Sequence, residues 1–134
     1  MSSRLFPYSY DAIIVDENYD IANLVAQHLI IYFGFGRPFI YQSWPGMTAM
    51  TPLVPYVRVF VVDYLATEKS GPGEMPLLLG LSTPKVITST SGFGGYHKFG
   101  YQNVRFLYKP FGLDYLHKTL VEMGLEFTKM PDVL

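Results

Sequence analysis

The sequence predicts an α/β domain built on a parallel β-sheet. Short apolar runs rich in β-branched residues alternate along the chain with segments whose apolar residues recur at helical spacing. Parallel strands need crossover connections, and the intervening segments are long enough to supply helices for them. With 134 residues, the chain suits one domain with a single core. We expect that core to cover about residues 10–125, with a short arm before it and an irregular tail after it.

The first two predicted elements are a short strand and an amphipathic helix. Residues 12–15, Ala-Ile-Ile-Val, form an apolar run of the kind that strands contain. Apolar residues then recur at helical spacing and predict a helix over about residues 19–33. Asn18 or Asp20 can cap the start of this helix, and Gly34 is typical of a helix end.

The middle of the chain predicts two strands with a short helix between them. The first strand is short, at residues 38–42, and the helix covers residues 46–53. Residues 57–65, Val-Arg-Val-Phe-Val-Val-Asp-Tyr-Leu, are mostly apolar and β-branched, which is typical of a strand covered on both faces. Residues 66–75 contain two glycines, a proline and several polar residues, so they predict a loop.

The last third of the chain continues the alternation of predicted helices and strands. Residues 74–81 predict a short helix, and residues 85–88 predict the fourth strand. A stretch rich in glycine and aromatic residues follows, in which residues 96–101 have room for only one or two helical turns. Residues 104–108 predict the fifth strand, and an apolar stripe predicts a last helix over about residues 113–125.

Charge and composition exclude several classes of function. Ten basic residues nearly balance eleven acidic ones, so there is no electrostatic case for a nucleic-acid or membrane partner. The absence of cysteine excludes disulfides, thiolate metal sites and cysteine nucleophiles. His28, His97 and His117 match no zinc spacing, so we expect each to be an ordinary helix or loop residue. The start of the chain has no signal-peptide core, and we expect a cytoplasmic protein.

Polar residues follow four of the predicted strands at the same end. Asp16 and Glu17 follow the first strand, Asp63 lies near the end of the third, Ser and Thr residues end the fourth, and Lys109 follows the fifth. The carboxyl ends of parallel strands line one edge of a sheet, so these side chains are expected to converge. Clustered carboxylates favour a hard cation such as Mg²⁺. Beside a metal and an ammonium, a carboxylate can attack phosphorus, and a hydroxyl can then bind the attached phosphoryl group.

These residues resemble the motifs of response regulator receiver domains of two-component signalling, including the single-domain chemotaxis type. The resemblance lies in residues 13–17, 61–63, 86–90 and 109–111 and covers about residues 10–124. It implies a doubly wound, flavodoxin-like sheet in the strand order 2-1-3-4-5. It also implies phosphorylation by a histidine kinase or phosphotransfer protein. The signal would pass to a downstream protein through the face formed by the fourth helix, fifth strand and fifth helix. Such a domain is not a turnover enzyme, although it catalyses its own phosphorylation and dephosphorylation.

The resemblance implies a role for each of the converging residues. Asp63 matches the phospho-acceptor, and Asp16 and Glu17 match the acidic pair that holds Mg²⁺ together with it. Leu65 matches the position whose backbone carbonyl completes the metal site. Lys109 matches the lysine that contacts the phosphate, and a cis peptide bond is expected after it.

The resemblance also implies a switch. Phe106 matches the aromatic residue that turns inward on activation. Counting from Pro84, the switch hydroxyl is Ser89, and a slip of one residue would make it Thr88 or Thr90. The helix after the fourth strand is expected to be stunted or reshaped.

Departures from the family pattern leave two other functions open. Glu17 stands where the family usually has Asp, and Ala66 and Thr67 stand where it commonly has Met-Pro, although Gly71 keeps its place. These departures favour a pseudo-receiver, which binds partners without being phosphorylated. A flavin-binding electron carrier is the other alternative, because residues 88–92 resemble a flavodoxin phosphate loop. In flavodoxins that loop follows the first strand, where this chain has acids.

Overall fold

All five predicted strands are present, and they form one parallel sheet. The strands are β1 (Ala12–Val15), β2 (Pro38–Tyr41), β3 (Val59–Asp63), β4 (Lys85–Ser89) and β5 (Val104–Tyr108). They lie side by side in the order β2-β1-β3-β4-β5, which confirms the predicted doubly wound α/β fold. This computed structural model describes residues 11–126. The arm predicted before them and the tail predicted after them therefore lie outside the described residues.

Five α-helices accompany the strands within residues 11–126. They are α1 (Tyr19–Phe33), α2 (Met47–Met50), α3 (Tyr64–Ser70), α4 (Glu74–Leu79) and α5 (Leu113–Glu122). Single 3-10 turns occur at Val54–Tyr56 and Tyr96–Lys98. The first helix has its predicted bounds, whereas α2 is shorter than predicted and α5 ends three residues early, at Glu122.

The bounds of α1 follow from its capping residues. The Asn18 side chain accepts hydrogen bonds from the backbone N–H groups of Asp20 and Ile21, at 3.0 and 3.2 Å. Of the two candidates, Asn18 is therefore the cap. Gly34 has a φ of 69°, the left-handed conformation that ends many helices at glycine.

The region after β3 differs from the prediction. We expected a strand to Leu65 and a loop over residues 66–75, but the strand ends at Asp63 and α3 begins at the next residue. The Asp63 side chain accepts a hydrogen bond from Ala66 N, at 3.0 Å, and so caps the helix. The turn-forming residues that predicted the loop are confined to residues 71–73, between α3 and α4. The prediction of a loop is therefore correct for residues 71–73 only.

Two apolar layers enclose the sheet, one on each face. Side chains of a strand alternate between the faces, and β3 is buried along its whole length. One layer packs α1 and α5 on the sheet through Val25, Leu29, Phe33, Leu116 and Leu120. The other contains side chains of α2, α3 and α4 and of the β4–β5 connection, including Met47, Met50, Ala66, Met75, Leu78 and Phe93. Within residues 11–126, no helix has both the length and the apolar character needed to cross a membrane.

Candidate functional site

The sheet brings the acids of β1 and β3 together. β1 pairs with β3 so that Val15 lies beside Val62, which places Asp16 next to Asp63 at the carboxyl edge of the sheet. Both acids are buried, with 6% and 7% of their surfaces exposed. Carboxylates in this setting need partners, because burying an unpaired charge is costly.

Lys109 supplies the charge that joins the two acids. Its Nζ lies 2.7 Å from Asp16 Oδ2 and 2.9 Å from Asp63 Oδ1. Burial lowers the pKa of Lys109, but the hydrogen bonds that it donates to Asp16 and Asp63, with the charges of these acids, outweigh burial and raise the pKa above its ordinary value. Lys109 is therefore an ammonium at neutral pH. The peptide bond between Lys109 and Pro110 is cis, as predicted.

Backbone N–H groups bind the remaining carboxylate oxygens. Asp16 Oδ1 accepts from Asn18 N at 2.8 Å, and Asp63 Oδ2 accepts from Ala66 N at 3.0 Å. Together with Lys109, these donors give each oxygen of the two acids a hydrogen-bond partner. Two carboxylates and one ammonium leave one formal negative charge, so the cluster still attracts a cation.

Two further residues were predicted as metal ligands, Glu17 and Leu65, and their surroundings differ from those of Asp16 and Asp63. The Glu17 carboxylate forms an exposed ion pair with Lys69 of α3, at 2.5 Å. Leu65 lies in the first turn of α3, two positions after Asp63. The predicted role of the Leu65 backbone carbonyl at the metal site stays a prediction.

The three candidate hydroxyls occupy three different environments. Thr88 pairs with Asp63 across the sheet and is buried. Ser89 is also buried, and its Oγ accepts from Ser91 N and Gly92 N, at 3.2 and 3.0 Å. Thr90 is exposed. The two backbone donors fix the position of the Ser89 oxygen at the end of β4.

Phe106 lies in β5, half-buried against the segment that joins β4 to β5. Its ring centroid is 5.0 Å from that of Phe93, and the two rings are steeply inclined at 65°. This is favourable edge-to-face packing between aromatic rings. The predicted switch role of Phe106 stays a prediction.

Asp16 and Asp63 offer the carboxylate oxygens that Mg²⁺ prefers as ligands. They are two of the four ligands that the sequence predicts. Among residues 11–126, no group of three or more His, Cys, Asp or Glu side chains is placed to hold a metal ion. Mg²⁺ keeps several of its waters in proteins, and one or two carboxylates are enough to bind it. Asp16 and Asp63 are thus the residues that would hold the ion. Lys109 lies between them and would have to give way in part.

Several contacts of functional interest left no signal in the sequence. Lys69 of α3 donates to Glu17, 52 positions away in sequence, and no spacing in the chain predicts that contact. His28 of α1 and His117 of α5 were expected to be ordinary residues. They form a buried pair, with His28 Nε2 2.8 Å from His117 Nδ1. Since 89 residues separate them in sequence, only the helix packing reveals the pair.

The sequence was compared with protein-family models and with curated proteins. No protein-family model matches the sequence. Curated proteins likewise include none that matches it significantly.

Proposed function

We propose that this chain is a receiver-type signalling domain. It takes a phosphoryl group on Asp63, with Mg²⁺ bound, and passes the signal to another protein through a conformational change. The observation that carries the proposal is the contact of Lys109 with both Asp16 and Asp63 at the carboxyl edge of a 2-1-3-4-5 sheet. Ligands of doubly wound sheets bind outside this edge.

Asp63 acts as the nucleophile in this proposal. One of its carboxylate oxygens forms a bond to the phosphorus of a phosphohistidine on a histidine kinase or phosphotransfer protein. The P–N bond breaks, its electron pair stays on the imidazole nitrogen, and the imidazole leaves. When held by Asp16 and Asp63, Mg²⁺ supplies positive charge at the phosphoryl oxygens.

The hydrogen bonds around Asp63 favour attachment of the phosphoryl group to one of its carboxylate oxygens, Oδ1. Oδ2 can keep its bond from Ala66 N while Oδ1 attacks. Lys109, which lies 2.9 Å from Oδ1, then needs only a short movement to contact a phosphoryl oxygen. Its ammonium offsets the new negative charge, which is the role that a lysine beside a transferred phosphoryl group has.

The signal begins at a hydroxyl. The Ser89 O–H donates to the phosphoryl group, and the turn held by its oxygen, through Ser91 and Gly92, moves with it. Phe93 follows that turn and packs on Phe106, so the displacement reaches β5. Thr88 and Thr90 are the alternative hydroxyls. The new charge-assisted hydrogen bonds to the phosphoryl group shift the population of the domain from one conformation to the other.

A second candidate function is a pseudo-receiver that binds partners without phosphorylation. It is favoured by the way the chain satisfies its own acids: Asp63 caps α3, and Glu17 is paired with Lys69. In this alternative Lys109 is a permanent structural counter-ion. Both candidate functions fit the cytosolic location that the sequence predicts.

The two candidates differ in their response to a small phosphodonor. The protein is incubated with Mg²⁺ and acetyl phosphate, and its intact mass and amide NMR spectrum are recorded. Receiver function predicts a mass increase of one phosphoryl group and Mg²⁺-dependent shifts at Ser89 and Phe106. Asp63→Asn, the matched control, should show neither change. A wild-type protein without an adduct would support the pseudo-receiver, and an adduct that persists in Asp63→Asn would show that Asp63 is not the acceptor.

A further inference from the structure

The segment that joins β4 to β5 leaves part of the sheet without a covering α-helix. The regular structure within residues 90–103, all of which are described, is confined to the 3-10 turn Tyr96–Lys98. This segment and β5 surround a groove of about 400 Å³, here called the β5 groove. Its aromatic lining consists of Phe93, Phe99, Tyr101, Phe106 and Tyr108. Two of these rings remain largely in solvent, since Phe99 is 64% exposed and Tyr108 is 56% exposed.

The strand beside the groove is an edge strand with outward-facing backbone groups. Lys109 N donates to Ser89 O at 2.8 Å, so Lys109 and every second residue before it face β4. The N–H and C=O groups of Phe106 and Tyr108 therefore point away from the sheet. Within residues 11–126, no hydrogen bond to these groups is formed. An edge of this kind can accept a further strand.

The surface around the groove is positively charged. Between Glu74 and Asp114 the sequence contains no acidic residue. Lys98 and Arg105 are exposed there. The Arg105 guanidinium donates to the carbonyl of the preceding residue at 3.1 Å, which keeps its charge at the edge of β5. An acidic ligand complements this combination of charge and aromatic surface.

We propose that the β5 groove binds an extended, acidic segment of a partner protein, which adds to the edge of β5 as a further strand. The segment's backbone pairs with Phe106 and Tyr108, and its alternate side chains point to opposite faces. Apolar side chains enter the groove beside Phe99, and acidic side chains lie against Lys98 and Arg105.

Two other occupants fit the surface less well. A second copy pairing through β5 would bring the Arg105 and Lys98 charges of two chains together, and like charges at an interface oppose association. A single-stranded nucleic acid would find positive charge and aromatic rings. It lacks the alternating amide donors and acceptors that pair with a strand edge.

The proposal is tested with the full-length protein and a pair of synthetic peptides. One peptide alternates Glu with Val and Ile, and the other has Lys at each Glu position. We expect the Glu peptide to shift the amide resonances of Phe106 and Tyr108 and to slow their hydrogen exchange. The Lys peptide should bind at least about tenfold more weakly, because its charges face Arg105 and Lys98.

Charge reversal at the edge supplies the control. Arg105→Glu should remove binding of the Glu peptide. Lys118→Glu makes the same charge change on the exposed face of α5 and should leave binding unchanged. The inference goes beyond the proposed function, because it does not require phosphorylation. Asp63→Asn must therefore bind the Glu peptide as the wild type does.

Several results would overturn the proposal. Equal binding of the two peptides, shifts that avoid β5, or no shift with the Glu peptide would each exclude an acidic strand at this edge. A dimer in sedimentation equilibrium with protected Phe106 and Tyr108 amides would identify a second copy as the occupant. Tighter binding of oligothymidine than of the Glu peptide at the same resonances would identify a nucleic acid.

Discussion

Lys109 offsets half of the formal negative charge of Asp16 and Asp63 at the carboxyl edge of the sheet. Its ammonium is the one positive side chain that contacts Asp16 and Asp63 among the described residues. The sequence predicted this convergence, because parallel strands carry their carboxyl ends to one edge. It did not predict that Glu17 would pair with Lys69, since the direction of a side chain after a strand depends on the neighbouring helix. At the scale of single residues, topology predicts which residues are close, and local packing decides which of them make contact.

Replacing Lys109 with Met should destabilise the fold. Without the ammonium, the buried carboxylates of Asp16 and Asp63 repel each other and lose a hydrogen-bond donor. We expect the free energy of unfolding at neutral pH to fall by about 3 kcal/mol. Urea unfolding measures the loss, and Lys118→Met on the exposed face of α5 is the control, with an expected change of less than about 0.5 kcal/mol. Adding Asp63→Asn to Lys109→Met should recover part of the stability, and no recovery would contradict the repulsion argument.

Replacing Lys69 with Gln should strengthen Mg²⁺ binding. Lys69 pairs with Glu17, and its loss both releases an acid and removes positive charge near Asp63. Because the ion pair is exposed, we expect a gain in affinity of less than about fivefold. Titration with Mg²⁺, followed by amide shifts at the ends of β1 and β3, gives the dissociation constant. Lys98→Gln, an exposed lysine far along the chain, is the control. If Lys69→Gln and the wild type bind Mg²⁺ equally, Lys69 has no influence on the site.

At the scale of elements, strands were easier to predict than short helices. Each strand is a β-branched or aromatic run, and burial on the sheet reinforces that preference. α3 was missed because nothing in its sequence resembles an amphipathic helix. Its seven residues form a helix because Asp63 caps them and Tyr64, Ala66 and Thr67 are buried against neighbouring elements. Tertiary packing supplies most helical stability in proteins, and a sequence pattern does not report it.

Two substitutions of Asp63 separate its capping role from its charge. Asn at this position keeps a side-chain oxygen that can accept from Ala66 N, whereas Ala does not. Both variants lose the ion pair with Lys109. We therefore expect Asp63→Ala to be less stable than Asp63→Asn by about 1 kcal/mol in urea unfolding. Faster hydrogen exchange at the Ala66 amide in Asp63→Ala should accompany the difference. Equal stabilities would mean that the cap contributes nothing to α3.

At the scale of the whole molecule, the two faces of the sheet are built differently. One face is covered by the long helices α1 and α5, which pack on each other and on the strands. The other is covered by three short helices and the irregular segment that lines the β5 groove. The period of the apolar residues predicted the first face well. The second face depends on loop conformation and aromatic packing, which leave no periodic signal.

The buried histidine pair should make global stability depend on pH. His28 and His117 join α1 to α5, and Tyr32 and Phe33 enclose them. Burial, with a smaller contribution from His117, lowers the pKa of His28 to about 4, and burial also lowers the pKa of His117. The unfolded chain takes up protons near pH 6.5, before the folded chain does. Stability is therefore fully present above that pH and falls as the pH drops toward about 4.

Urea unfolding across this pH range measures the effect. We expect a loss on the order of 2 kcal/mol between pH 7 and pH 4 from the pair. His28→Gln should flatten much of that dependence, because Gln cannot take up the proton. The exposed His97 provides the control, and His97→Gln should leave the slope unchanged. A slope that survives in His28→Gln would locate the titrating groups elsewhere in the chain. A slope of opposite sign would contradict the lowered pKa values, since it would require the folded state to bind protons more tightly than the unfolded state does.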